Sequence, residues 1–147
     1  MSAISYINAV KARIEGNAAL QAYFEEQFGR RLTVKKSYKN REEINVGDLP
    51  VLMITRPQVG RSVSGNVTTR SHELLLYLGF HYPNTDDLEL PLEYFIEIDE
   101  RLADAVARKT DLADDRAMYV IVGESANDEG AFHPVYFQTM HLTIKER

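Results

Sequence analysis

Apolar side chains in the first 28 residues recur every three or four positions, which is the spacing of one face of an α-helix. Gly16-Asn17 interrupts this pattern. Gly29 ends it, because glycine readily adopts the left-handed backbone conformation that closes a helix. The pattern predicts either a helical hairpin or one kinked helix. The residues that share the apolar face are Ile7, Val10, Ile14, Leu20, Phe24 and Phe28.

From Arg31 the period changes to two, which indicates extended strands. The first predicted strand alternates apolar and polar residues, with Leu32 and Val34 on one side. The second is the apolar run 49–55, and Pro57 is predicted to close it because proline cannot donate to a sheet. Residues 58–65 contain several Gly and Ser residues and are predicted to form a loop.

The third predicted strand covers residues 67–82, where Leu74, Leu76, Leu78 and Phe80 share one side. At about 3.3 Å per residue such a strand reaches roughly 50 Å, which is longer than a small domain needs. Residues 56–70 are therefore predicted to project from the domain as an arm.

The second half of the sequence predicts one helix and two strands. Residues 88–109 carry a helical apolar stripe, with acidic residues at the start and Arg108-Lys109 at the end, as the helix dipole favours. Residues 118–123 and 135–144 are predicted strands, separated by a polar loop. The element order is thus α-β-β-β-α-β-β. It predicts a single α+β domain over residues 1–147, with a mixed or antiparallel sheet of about five strands and helices packed on one face.

Charge is divided unequally along the chain. The net charge is −5, but residues 1–70 hold 11 Lys/Arg against 6 Asp/Glu, whereas residues 71–147 hold 6 against 16. Two interpretations stay open: ordinary solvated faces, or a protomer whose basic and acidic faces associate head to tail. The sequence contains no cysteine, which suits a reducing compartment, and neither a signal peptide nor a run of 18 apolar residues is present. We therefore expect a protein that is neither exported nor membrane-spanning.

Three arginines lie in or beside the loop predicted between the second and third strands, and arginine suits two-point recognition of carboxylates at interfaces. The acidic helix supplies three glutamates that could meet them on a neighbouring copy. Ordinary surface charge is the alternative interpretation. The predicted interface residues are Arg56, Arg61, Arg70, Glu93, Glu97 and Glu100.

Catalytic and metal-binding patterns are weak in this sequence. His72, His81, His133 and His141 have no spacing that would place two imidazoles on one metal, so no metal or cofactor is expected. His72 and His81 are predicted to point to opposite faces of one strand. An alternative function is a small hydrolase or nucleotide-binding enzyme that uses His81, Asp86 and the segment 60–65, whose Gly and Ser residues superficially resemble a phosphate-binding loop.

A nucleic-acid binder is a further alternative, because basic residues with an interleaved tyrosine suit a phosphate backbone and its bases. The overall acidic charge argues against it, and no specific nucleic acid is expected. The residues of this basic stripe are Arg30, Arg31, Lys35, Lys36, Lys39 and Arg41, with Tyr38 between them.

The layout resembles a known family. An N-terminal helix, the strand ending at Pro57, the long strand containing residues 71–78, an acid-led helix and two closing strands look like the lambda-type phage tail terminators, which are also called minor tail protein U-like. The resemblance implies a non-enzymatic homohexameric ring. This ring docks on the last ring of the tail tube protein, stops further polymerisation and presents the surface to which the head–tail connector joins.

By the same resemblance, the protein is expected in the host cytoplasm during assembly and then in the virion tail. Another head–tail connector or neck component is the related alternative.

Overall fold

The computed structural model describes residues 3–36, 45–84, 89–107 and 118–146. Within these ranges the chain forms three α-helices, one short 3₁₀ helix (Val46–Asp48) and one five-stranded sheet. No helix in the described ranges is long and apolar enough to cross a membrane. The helices are α1 (Ala3–Glu15), α2 (Ala18–Phe28) and α3 (Glu89–Ala107), and the strands are β1 (Thr33–Lys36), β2 (Val51–Ser64), β3 (Val67–His81), β4 (Met118–Asn127) and β5 (Val135–Glu146).

Gly16-Asn17 separates α1 and α2 into two helices. The Asn17 side chain accepts a hydrogen bond of 2.9 Å from the backbone N–H of Leu20, which satisfies one of the free donors at the start of α2. Gly29 ends α2 in the left-handed conformation with φ 76°, and its N–H bonds the carbonyl of Glu25. The chain therefore forms two helices, the second capped at both ends, instead of the single kinked helix that the sequence also allowed.

The strands lie in the order β1-β2-β3-β5-β4. The pair β1–β2 is parallel, and the other three pairs are antiparallel. This mixed sheet, with helices packed on it, confirms the predicted α+β fold.

All three helices cover the same face of the sheet. The alternate residues of β3 and β5 point to this face because side chains along a strand alternate. Their apolar side chains are buried against those of the helices, so the main core lies between helices and sheet. Its largest buried members include Tyr6, Val10, Ile14, Phe24, Leu76, Leu78, Phe80, Ile98, Leu102, Met140 and Leu142.

The prediction that Pro57 closes β2 and that residues 58–65 form a loop is wrong. Strand β2 continues to Ser64, and its register with β3 shifts by one residue between Thr55 and Gln58. Pro57 lies in this bulge, beyond the last residue of β2 that pairs with β1, where a missing N–H breaks no ladder. Only Gly65-Asn66 connects the two strands, and Gly65 supplies the positive φ of 62° that the tight turn requires.

The predicted strand 118–123 is too short, because β4 extends to Asn127. Its register with β5 shifts between Val122 and Ser125, so residues expected in the polar loop remain in the sheet.

Candidate assembly surface

The long hairpin of β2 and β3 extends beyond the rest of the sheet. Strand β2 pairs with β1 only as far as Ile54, and β3 pairs with β5 only from Ser71 onwards. In the described chain, the distal residues of β2 and β3 therefore pair only with each other. We call residues 56–70 the arm. It consists of the paired ends of two extended strands, and the length of the third predicted strand indicated such a projection.

The surface of the arm is basic and partly apolar. No acidic residue occurs from 56 to 70, whereas three arginines do. Val63 is 71% exposed and Val67 is 62% exposed, although valine is normally among the most buried residue types. Scattered exposed valines are common, but here they lie on a projection that carries one sign of charge. Such a surface is typical of one that meets a partner.

Two of the predicted arginines are brought together. Arg61 and Arg70 are register partners on adjacent strands, so their side chains share one face of the arm, and like charges directly opposite each other repel. Val59 pairs with His72, whose side chain is buried on the helix-covered face of the sheet, so the arginine face of the arm continues that face. Arg56 lies in the bulge, and its side chain is outside the described part of the structure.

The predicted glutamates form a stripe on α3. Glu93, Glu97 and Glu100 are spaced by four and three residues and therefore lie on one side of the helix. Glu97 is already engaged, because Arg101 Nε donates to its Oε1 at 2.7 Å, and the Arg101 guanidinium lies 4.7 Å from the centre of the Tyr23 ring. Burial raises the pKa of Tyr23 to about 12, and the Glu97 carboxylate adds to this shift. Glu93 and Glu100 are exposed.

A cavity of about 470 Å³ lies at the other end of the sheet, between the first turns of α3 and the segment that joins β4 to β5. Its walls are apolar, from Phe80, Leu92 and Phe95 among others. Gln138 and Asp128 line it too, and each also has a buried acceptor atom, Oε1 and Oδ2, that receives no hydrogen bond from the described residues. Buried acceptors are normally paired, so these two atoms are unfavourable features of the fold.

Short-range hydrogen bonds stabilise the rim of this cavity. Asp128 N–H donates to the carbonyl of Phe137, and Asp128 Oδ1 accepts from Gly130 N–H at 3.2 Å. Asn127 Oδ1 accepts from Glu129 N–H at 2.8 Å. These short-range bonds fix the orientation of the Asp128 carboxylate.

Sequence reasoning missed the cavity, although one signal for it exists. Gln138 occupies the side of β5 that Tyr136, Met140 and Leu142 share, and it is only 4% exposed. A polar residue at a core position of an amphipathic strand is unusual, because burying it needs a compensating hydrogen bond.

The structure separates the groups of the predicted enzyme. The segment 60–65 is strand and turn, with no helix N-terminus to bind phosphate. Gly60 pairs with Ser71, which lies ten residues along β3 from His81, or about 33 Å at the usual rise. His81 and the segment 60–65 therefore cannot form one active site, and the prediction that a hydrolase combines them is wrong. Asp86 lies outside the described residues.

The four histidines do not converge in the described part of the structure. His72 is buried against Tyr6, whereas His81 points to the other face, as predicted. His133 shares a hydrogen bond of 2.7 Å with the Tyr136 hydroxyl. Among the described residues, no group of three or more His, Cys, Asp or Glu side chains lies together as a metal site would require.

The predicted nucleic-acid stripe is partly engaged by the protein itself. Lys36 Nζ donates to Asn8 Oδ1 at 2.7 Å, and Arg30 donates to the carbonyl of Gly47. Lys39, Arg41 and the interleaved tyrosine lie outside the described residues.

Comparison with known proteins identifies the fold. No protein-family model matches the sequence, and no curated protein matches it. A solved structure does. The chain is similar to a chain in the structure titled "Virion of native gene transfer agent (GTA) particle", with a TM-score of 0.63 and 9% sequence identity. The match covers 95% of this chain and 92% of the other, so the two share their fold along almost their whole length.

Proposed function

We propose that this protein is a structural subunit of a phage or phage-like particle, and that it acts as a ring-forming tail terminator. The observation that carries the proposal is the shared fold with a chain of a gene transfer agent virion, which extends over 95% of this chain. A virion is built by repeated association of protein subunits, so its chains need surfaces that meet copies or partners. The partners proposed here are further copies of the chain, the tail tube protein and the head–tail connector.

The arm supports an assembly role. It lies outside the fold's own core, carries arginines and exposed valines, and has two strand edges that no other described strand covers. A soluble protein that kept such a projection without a partner would risk non-specific strand pairing. A subunit that docks its arm in an assembly removes this risk.

A ring is proposed because basic and acidic residues lie towards opposite ends of the sheet. The arm is basic at one end of the sheet, and α3 begins with acidic residues near the other end. Such a protomer favours head-to-tail contacts, and these close into a ring when the rotation between neighbours permits it. Six copies is the number that the tail terminator resemblance implies.

The experiment is a measurement of mass and of tube capping. Native mass spectrometry of the purified 16.8-kDa chain should show a closed oligomer, with six copies expected, either alone or on addition of the tail tube protein of the same particle. Added to growing tail tubes, the protein should halt elongation, and electron microscopy should show it at one tube end. A strict monomer at tens of micromolar, with and without the tube protein, would refute the ring. Tubes that grow unchanged while the protein binds the head–tail connector instead would favour a different connector role.

A further inference from the structure

The sheet has two long edges that no described strand covers. One is the part of β2 beyond Ile54, where the pairing with β1 ends, and the other is the outer edge of β4. Every residue from 57 to 64 is exposed, and so are Ile121 and Gly123 on β4. Gly60 and Gly123 have no side chain, so their exposed surface is main chain that water can reach. Both edges are therefore open to pairing with a further strand.

The two edges cannot meet within one chain. In the strand order, β3 and β5 lie between β2 and β4. The open side of β2 faces away from β3, and the open side of β4 faces away from β5, because a strand in a sheet has only two sides on which it can pair. The edges therefore face in opposite directions from the same sheet. A strand that pairs with either of them must come from another molecule.

The register places the two edges at the same height of the sheet. One row of residues crosses the sheet from edge to edge through the register pairs Val59–His72, His72–Ile144 and Ile144–Val120. A second copy that lies beside the first in the same orientation would continue this row, with its Val120 next to Val59 and no shift along the strands. Such a contact favours a closed ring, because a shift along the ring axis at every contact would produce a helical filament.

The pairing of these edges would be antiparallel. Strand β3 is antiparallel to β2 and β5, and β5 is antiparallel to β4, so β2 and β4 run in opposite directions. In the continued row, Val59 and Val120 lie on the helix-covered face, and in the next row Gln58 and Ile121 lie on the other face. Val59 is 38% exposed and Ile121 is 43% exposed, so pairing would remove apolar surface from water on both faces.

Charge favours the arm over a second β4 as the partner of β4. The arm contains arginines and no acid, whereas residues 118–131 contain Glu124, Asp128 and Glu129 and neither Lys nor Arg. Pairing of two β4 edges would bring acidic segments together, while the arm brings the opposite charge. A contact between two β4 edges would also be isologous and would end at a dimer, which forms no ring.

We propose that the open edge of β2 in the arm pairs antiparallel with the open edge of β4 in the next copy, with Val59 opposite Val120. The ladder runs from Gln58 to Arg61 on one copy and from Ile121 back to Met118 on the other. This inference rests on the proposed ring-forming function and names its contact. The contact is heterologous, because it joins different edges of two identical chains, and the sheet continues from copy to copy until the ring closes.

The absence of cysteine from the sequence allows a direct test by disulfide trapping. Single variants are mixed in pairs and oxidised, and linked dimers are identified by mass. The two direct pairs are Val59→Cys with Val120→Cys and Gln58→Cys with Ile121→Cys. Adjacent rows of an antiparallel ladder alternate between closer and wider spacing, so at least one direct pair should bring its Cβ atoms within disulfide reach.

The matched control is the crossed pair Val59→Cys with Ile121→Cys. These side chains point to opposite faces of the ladder and should give no linked dimer. Ile121 is more exposed than Val120, so random collision would favour the crossed pair over the direct one. A crossed pair that links as well as the direct pairs, or no linking of any pair, would overturn the contact. A dimer that forms from Ile121→Cys alone would indicate a contact between two β4 edges and would overturn it too.

Amide hydrogen exchange of the unmodified chain gives a second measurement. On assembly, exchange should slow by about tenfold or more in peptides that cover residues 58–61 and 118–121, because main-chain N–H groups that face water become hydrogen-bonded. Peptides that cover β1 are the control, since the proposed ladder leaves the outer edge of β1 unchanged.

The outcomes separate the contact from the function. Rings that form in native mass spectrometry without slower exchange at both edges would refute the contact and leave the ring function standing. Slower exchange in the arm but not in β4 would indicate that the arm pairs with another virion protein, and would also overturn the contact between copies. A chain that neither oligomerises nor halts tube elongation would instead remove the function on which the contact rests.

Discussion

Removing the end of the arm should abolish assembly and leave the fold intact. The variant replaces residues 61–70 by Asn-Gly, which joins Gly60 to its register partner Ser71 through a two-residue turn. Asn-Gly favours the turn type whose twist matches a hairpin. The variant keeps every residue of the sheet that pairs with β1 or β5.

The expected change in the free energy of unfolding is small. Full burial of a valine contributes about 1.5–3 kcal/mol, and Val63 and Val67 retain only about a third of that burial. They therefore contribute roughly 0.5–1 kcal/mol each. The exposed hydrogen bond between the Ser62 and Thr69 hydroxyls adds about 0.5–1 kcal/mol, and relief of the Arg61–Arg70 repulsion offsets about 0.2–1 kcal/mol. The sum stays below about 3 kcal/mol.

Urea unfolding followed by circular dichroism measures this change under conditions where both proteins are monomeric. Leu76→Ala is the control for sensitivity, because Leu76 lies on β3, is 1% exposed, and its truncation should cost about 2–5 kcal/mol. Light scattering of the same samples at assembly concentration should show no ring for the shortened arm. A shortened variant that assembles like the wild type, or one that loses as much stability as Leu76→Ala, would refute the assignment of the arm to assembly.

Three further predictions concern packing, capping and titration. Gly79→Ala should lower the free energy of unfolding by about 1–3 kcal/mol in urea, because its Cβ would lie 3.0 Å from the Phe137 ring, whereas Gly123→Ala, with contacts no closer than 3.4 Å, should cost less. Asn17→Ala should cost about 1 kcal/mol by the same assay, since α2 loses its N-terminal cap. The raised pKa of Tyr23 means that the folded state keeps this proton longer than the unfolded state, so stability should fall as pH rises from about 10 to about 12, and Tyr23→Phe should remove that part of the fall.

The elements with one buried face were predictable from the sequence. The alternation in β3 and the helical stripe of α3 reflect burial against one core, so period alone identified them. The break at Gly16-Asn17 was visible for a local reason, because asparagine is a favoured N-cap residue and Asn17 caps α2.

Pro57 shows where local preference fails. Proline cannot donate to a neighbouring strand, which predicted the end of β2, yet here it lies in a bulge beyond the part of the strand that pairs with β1. Whether a strand has a neighbour on that side depends on strand order, and strand order depends on contacts far apart in sequence. The sequence pattern carries no such information, so the continuation of β2 into the arm could not be predicted from it.

The cavity could not be predicted for a similar reason. Asp128 lies in the segment that was predicted to be a polar loop, and Gln138 was overlooked among apolar neighbours on β5. Their juxtaposition arises because β4 pairs with β5 through Asn127 and Gln138, and because the first turns of α3 close the space above them. Both are tertiary contacts, which local sequence patterns do not encode.

Gln138 is unfavourable where it lies in the fold. It occupies the core side of β5, is 4% exposed, and its Oε1 receives no hydrogen bond from the described residues. A buried acceptor without a donor costs about 1–3 kcal/mol relative to a paired one. Gln138→Leu removes this acceptor and keeps a side chain of similar size, so it should raise the free energy of unfolding in urea. A Gln138→Leu variant that is less stable than the wild type would refute this account.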